Sequence, residues 1–152
     1  MPGLNFQAQF ALPIVRLIKR SAICTQRKRN FMQGDRLLLW TGSPKQWRAL
    51  GEAHARFVRP IRIYLSKVEL MGVKGSQLWP FERGHHGDWF TLSDRDIATL
   101  VQMEGFDTPE MFFAYFRKQQ LQQAVLVLSL VWIYWGELFW RAEGPKAWRA
   151  TE

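Results

Sequence analysis

Apolar positions change their period along the chain, and each period predicts an element. Leu4-Asn5-Phe6-Gln7 alternates and predicts a short strand. Phe10, Ile14, Leu17 and Ile18 then recur at spacings of four, three and one, the face of a helix ending near Arg20. Pro13 fits only the first turn of such a helix. Gln33-Gly34-Asp35 is a turn, because Gly permits positive φ and Asp offers a local hydrogen bond. Residues 36–41 predict a buried strand through Leu37-Leu38-Leu39-Trp40, and Gly42-Ser43-Pro44-Lys45 predicts a loop. Residues 50–64 hold a long strand pattern, Ala53, Ala55 and Phe57 alternating with His54 and Arg56, with Pro60 as its break or bulge. Ile61 and Ile63 alternate with Arg62 and Tyr64, and residues 68–73 add a short strand.

The second half changes character. Residues 75–89 are irregular and rich in Gly, Pro and aromatics, which predicts a surface insertion. Ser93, with Asp96 three residues on, predicts a helix start followed by Ile97, Leu100 and Val101, and Gly105 stops that helix. Asp107 or Thr108 caps a second helix, with Pro109 near its first position and Met111, Phe112, Tyr115 and Phe116 on its inner side. Val125 to Trp135 reads VLVLSLVWIYW. Stretched to Leu121 and Trp140 it reaches membrane-spanning length, about 20 residues, but that window includes Gln122, Gln123, Ser129, Gly136 and Glu137. The β-branched and aromatic core favours a central strand over a buried helix or a membrane span. Residues 140–152, with Lys146, Trp148 and Arg149, predict a short helix or an ordered arm.

This order predicts an α+β fold whose strands close as a small barrel or a strongly curved sheet. With 152 residues, 47% hydrophobic and 22% charged, the chain has the core of one folded domain and is not a disordered sequence. The predicted division is a domain over 1–136, carrying the insertion at about 75–90, and a tail over 137–152. The single Cys24 excludes a disulfide framework and a Cys-based zinc site, and fits a reducing compartment. Met1-Pro2-Gly3-Leu4-Asn5 has no basic region followed by an apolar stretch, so no signal peptide and a cytoplasmic location are expected.

Charge sharpens the picture. Up to Arg62 there are twelve Lys/Arg against two acids, a balance of +10, whereas the remainder has nine against eleven, or −2. Such asymmetry calls for a polyanionic partner, nucleic acid first and an anionic membrane second. Arg27-Lys28-Arg29, with Arg20, Lys45 and Arg48, offers cations for backbone phosphates, and Trp47 offers a stacking surface for unpaired bases. Trp40 sits in an apolar strand and reads as core before stacking surface. His85-His86 with Asp88 invites a metal, but adjacent histidines diverge and no third ligand is evident, so no metal and no cofactor is expected. No Gly-rich phosphate loop and no Ser-His-Asp arrangement occurs.

A family resemblance arises from the order of several motifs. Ile18-Lys19-Arg20-Ser21-Ala22-Ile23-Cys24, a basic stretch, Gly34-Asp35 before an apolar strand, Thr41-Gly42, Leu50-Gly51-Glu52-Ala53 and Glu104-Gly105-Phe106 together resemble the ASCH-domain family. These are small PUA-like proteins common in bacteria and bacteriophages, and the resemblance spans about residues 3–120. It implies a small β-barrel flanked by short helices, with a cleft suited to a nucleotide or RNA. Some members remove the acetyl group from 4-acetylcytidine through a motif Gly-x-Lys-x-x-Thr-x-Arg and a distant Glu. Lys19 stands at the motif Lys and Glu104 at the acidic position, which makes these two the implied catalytic residues; Ala22 stands at the Thr and Cys24 at the Arg. The aromatic insertion and the C-terminal extension depart from the family pattern.

The residues constrain the chemistry independently. An amide hydrolase needs a nucleophile, a proton shuttle and an oxyanion donor. Ala22 has no hydroxyl, and Ser21 points to the opposite face of a strand. Cys24 shares the face of Ala22 and reads as a small buried hydrophobe unless Lys19 lowers its pKa. Lys19 reads either as a solvated helix-end cation or as a site residue, and Glu104 either as an exposed residue or as a site residue. The expected function is binding of RNA, single-stranded nucleic acid or a modified nucleotide. The alternatives are deacetylation of 4-acetylcytidine, and a phage-encoded inhibitor that docks on a host protein through Leu78-Trp79-Pro80-Phe81 and the Trp-rich tail. Lys19 and Glu104 are expected to open onto one cleft.

Overall fold

The computed structural model describes residues 3–25, 31–72 and 89–150, and nine strands lie among these described residues. Cα proximity divides the chain into two compact units: 1–22, 27–58 and 133–152 in the first, and 23–26 with 59–132 in the second.

The first unit is built on a four-stranded sheet of order β1-β3-β4-β9. Strand β1 (Gly3–Phe6) runs parallel to β3 (Arg36–Thr41), which is antiparallel to β4 (Arg48–His54), itself antiparallel to β9 (Leu138–Arg141). In β3 the alternation holds: Leu37, Leu39 and Thr41 are buried, Leu38 and Trp40 half-buried. Thr41 satisfies its buried hydroxyl by donating to the Phe6 carbonyl at 2.7 Å. Gly51 lets β9 come close, since a Cβ there would lie 2.5 Å from the Trp140 carbonyl oxygen. The turn before β3 forms as its sequence predicts: Gly34 has φ +94°, and the Asp35 carboxylate accepts from the Met32 amide at 2.9 Å.

The second unit contains the 59–63 portion of β5 (Phe57–Ile63), with β6 (Val68–Met71) and β7 (Trp89–Thr91) in antiparallel register. Helices α2 (Asp94–Met103) and α3 (Pro109–Gln123) follow. Both helix starts match the sequence signals. The Ser93 hydroxyl accepts from the Asp96 amide, the Thr108 hydroxyl accepts from the Met111 amide, and Pro109 opens α3. Gln120 on α3 is buried and donates to the carbonyls of Ile63 and Leu126, both at 3.2 Å, which ties the helix to the end of β5. The apolar run forms strand β8 (Leu128–Tyr134), which lies between β2 (Ser21–Cys24) and β5 in a five-stranded sheet of order β2-β8-β5-β6-β7.

Several expectations are corrected. The strands form two sheets and no closed barrel among the described residues, so the architecture is mixed α+β with short helices. The helix predicted up to Arg20 is a 3-10 turn over Ala8–Phe10 followed by α1 (Ala11–Val15). It stops because Leu17 adopts a positive φ of 60°, which leaves Ile18 exposed. The long strand over 50–64 breaks at Ala55 and Arg56, while Pro60 lies inside β5, one residue before the ladder with β6 begins at Ile61. Met111 is exposed, not on the inner side of α3. The segment after Trp135 supplies β9 and a bridge from Ala147 to Ala49, an ordered arm and not a helix. Residues 75–88, including His85, His86, Asp88 and the 78–81 aromatics, lie outside the described residues. No helix among the described residues is long and apolar enough to cross a membrane.

Candidate nucleic-acid interface

The basic segment after α1 is shaped by local backbone bonds. Leu17 turns the chain through its positive φ, and the amides of Ile18 and Lys19 both donate to the Pro13 carbonyl, at 2.8 and 3.0 Å. This reversal brings Lys19 inside the first unit, where it is 4% exposed. Its ammonium lies 4.8 Å from the ring centre of Phe10 and 5.6 Å from that of Phe6. Two aromatic faces offer a desolvated cation part of the stabilisation that water gave it. The reading of Lys19 as a solvated helix-end cation is therefore overturned.

Arg20 follows, half-buried, with its Nε donating to the Leu17 carbonyl at 2.8 Å. Its own carbonyl accepts from the amides of Trp135 and Gly136, at 3.1 and 3.3 Å. The Trp135 ring meets Phe6 edge-on, with centroids 5.8 Å apart, so the segment around Arg20 is held to the end of β8 by backbone and ring together. On the other flank the Arg56 amide donates to the Tyr134 carbonyl at 2.8 Å. The Tyr134 ring is buried and stacks on Phe57. Burial pushes its hydroxyl pKa up, against the opposing pull of Arg20 and Arg56. Of the charges that act on that hydroxyl, Arg20 acts most strongly.

The remaining predicted contacts are arranged differently. Lys45 is exposed on the loop before β4. Trp47 is half-buried, with the Lys146 ammonium 5.7 Å from its ring centre, and Arg48 donates to the Trp47 carbonyl at 3.1 Å. Arg27, Lys28 and Arg29 lie outside the described residues. An aromatic stack on the same sheet escaped the sequence reading. His54 lies parallel to Phe139 at 4.6 Å, and the Arg36 guanidinium sits 5.3 Å from the Phe139 ring centre. In the sequence His54 is one polar position of an alternating strand and Phe139 lies in the tail, so nothing local signals their pairing.

Glu104 belongs to the second unit, at the end of α2, and is 2% exposed, which overturns its reading as a surface residue. Gly105 follows with φ +86°, the helix stop its position predicts. Tyr115 on α3 has its hydroxyl pKa pushed up by burial first and by the negative charge of Glu104 second. Phe106 lies between the rings of Phe112 and Tyr115, with centroids at 5.7 and 5.4 Å. Ser21 and Ala22 are buried and Cys24 is half-buried, so the thiol is not the fully buried hydrophobe expected.

The charge division is clearer by unit than by sequence half. The first unit holds 13 Lys/Arg and 5 Asp/Glu, a balance of +8, and the second holds 8 of each, a balance of zero. The whole net charge of the protein thus belongs to the unit that contains Lys19, Arg20, Arg56, Lys45 and Arg48. Sequence reasoning missed Arg56, Tyr134 and Gly136. Arg56 reads as a polar position of an alternating strand, and Tyr134 lies in an apolar run between Trp132 and Trp135.

No family model matches the sequence, and no curated protein matches it. Among solved structures the chain is similar to the crystal structure of a mutant ZmASCH protein from Zymomonas mobilis. The identity is 9% and the TM-score 0.46, over 90% of this chain and 68% of that one. A likeness of this size assigns neither a family nor an activity.

Proposed function

We propose that this protein is a nucleic-acid-binding module that takes single-stranded RNA or a modified nucleotide on its first unit. The observation that supports this reading is the confinement of the whole +8 balance to that unit, interleaved with aromatic rings. Cations that neutralise phosphates release condensed counterions, and aromatic faces stack on unpaired bases without needing a fixed sequence. Fluorescence anisotropy with a labelled single-stranded RNA tests it. Affinity is expected to fall steeply with salt, by about 0.7 in log–log slope for each phosphate neutralised. Binding that is absent, or indifferent to salt, overturns the reading.

A second reading has one favouring observation, the burial of both Lys19 and Glu104. Buried titratable side chains occur preferentially at sites of proton transfer. The reading is an amidohydrolase of acetylated cytidine, working without the hydroxyl that Ala22 lacks. Release of cytidine from 4-acetylcytidine, abolished by Lys19→Ala, is the outcome it requires; no turnover by the unaltered protein removes it.

A further inference from the structure

We propose that Arg20 and Arg56 form a two-arginine clamp for one phosphate group, built across the short segment from Tyr134 to Gly136. The proposal deepens the nucleic-acid reading and rests on it for the identity of the larger ligand. Its geometry stands on backbone bonds. Arg20 receives the amides of Trp135 and Gly136 on its carbonyl, and Arg56 gives its amide to the Tyr134 carbonyl at 2.8 Å. The same three residues therefore fix both arginines, one at each flank. An ideal Cβ at Gly136 would lie 3.3 Å from the Tyr134 hydroxyl and 3.4 Å from Arg56 Nη1. The Arg56 head group and the Tyr134 hydroxyl thus meet around a residue without a side chain. Gly136 holds φ +79°, a conformation that glycine adopts without strain.

Charge and donor supply point to an anion. A guanidinium carries five N–H donors. Arg20 commits its Nε to the Leu17 carbonyl, which leaves donors of its fork available. Arg56 is exposed, and among the described residues neither arginine forms an ion pair with a carboxylate. The acid nearest along the chain to the Tyr134–Gly136 segment is the exposed Glu137, whose charge acts on Tyr134 less than those of Arg20 and Arg56 do. Two guanidiniums whose charges act on one hydroxyl repel each other, an anion between them offsets that repulsion, and phosphate matches a guanidinium fork with paired oxygens. Tyr134 is a positioning residue here: its ring, buried against Phe57, fixes where the Arg20 fork points.

Two probes test the clamp. The first is inorganic phosphate, followed by its phosphorus resonance line width. The unaltered protein is expected to broaden the line, Arg20→Ala and Arg56→Ala to lose most of the broadening, and Arg117→Ala, a change in the neutral unit, to retain it. Equal broadening by all four proteins, or none by any, overturns the clamp whether or not RNA binds. The second probe is single-stranded RNA carrying either a 5′-phosphate or a 5′-hydroxyl. Each arginine-to-alanine change is expected to reduce the salt slope by about 0.7. Arg56→Lys is expected to keep the slope but lose affinity several-fold, because the ammonium retains charge without the fork. A preference for the 5′-phosphate that vanishes in the variants places a terminal phosphate in the clamp; equal binding of the two RNAs with the slope loss intact places an internal one. RNA binding with unchanged slopes in both alanine variants overturns the clamp and leaves the nucleic-acid reading standing. Phosphate broadening without any RNA binding does the reverse. Tyr134→Phe, which keeps the ring, is expected to weaken phosphate binding, and a circular-dichroism spectrum like that of the unaltered protein confirms that each variant folds.

Discussion

All three tyrosines of this chain have a hydroxyl pKa pushed upward, Tyr64 chiefly by a neighbour and the other two chiefly by burial. Tyr64 donates to the Glu69 carboxylate, a bond that ionisation would destroy, and this is the largest cause of its raised pKa. For Tyr115 the largest cause is burial, followed by the charge of Glu104. For Tyr134 burial outweighs the two arginines that favour the phenolate. A phenol with a raised folded pKa contributes stability that is fully present below its unfolded pKa, near 10.0, and is lost as pH rises beyond it. The native protein is therefore expected to show no tyrosinate absorbance step at the ordinary phenol value. Its denaturant midpoint should decline as pH climbs past that value. A native titration with three ordinary steps contradicts the described surroundings. Single residues were the least legible scale in the sequence. Lys19 and Glu104 stood out only through a motif resemblance, and their burial depends on a turn at Leu17 and on packing at the end of α2 that no local pattern announces.

Elements were legible where their signals are local. The caps of α2 and α3, the turn at Gly34 and the strand over Arg36–Thr41 each depend on residues within a few positions of one another. Ser93→Ala is expected to cost about 1 kcal/mol through loss of the bond to the Asp96 amide, seen as a lower urea midpoint with unchanged slope. Where sequence reasoning failed, the deciding bonds were distant. Strands β4 and β5 part at Ala55 and Arg56 and not at Pro60, because Ala55 exchanges backbone bonds with Gly34 and Asp35 while Arg56 turns to Tyr134. Strand β9 depends on a partner far back in the chain, so its residues read as the start of a C-terminal tail and not as a strand. Its dependence on Gly51 is testable. Gly51→Ala would thrust a methyl against the Trp140 carbonyl at 2.5 Å, and is expected to speed amide hydrogen exchange in β9 while that in α2 stays as it was. Unchanged exchange in β9 would contradict the close approach.

At the scale of the whole molecule, one unit carries the charge and the other is neutral. Ligand binding to the native state alone adds stability by mass action, about 2.7 kcal/mol at a hundredfold excess over Kd. Saturating single-stranded RNA is expected to raise the thermal midpoint at low salt, to lose that effect at high salt, and to slow amide exchange in residues 31–58 and 133–150 more than in α2 and α3. Protection centred on the neutral unit would place the ligand elsewhere. The overall α+β character followed from the sequence because period and order suffice for it, but the failure to close a barrel did not, since closure depends on which strand edges find each other. The first unit is also discontinuous, drawing its last strand and the Tyr134–Gly136 segment from residues made long after β3 and β4. A ribosome delivers those residues in order. While it works, β4 has β3 on one edge and nothing on the other, and Arg20 and Arg56 lack the segment that spaces them. The clamp proposed above therefore has no scaffold during synthesis until the segment that completes the sheet has left the exit tunnel.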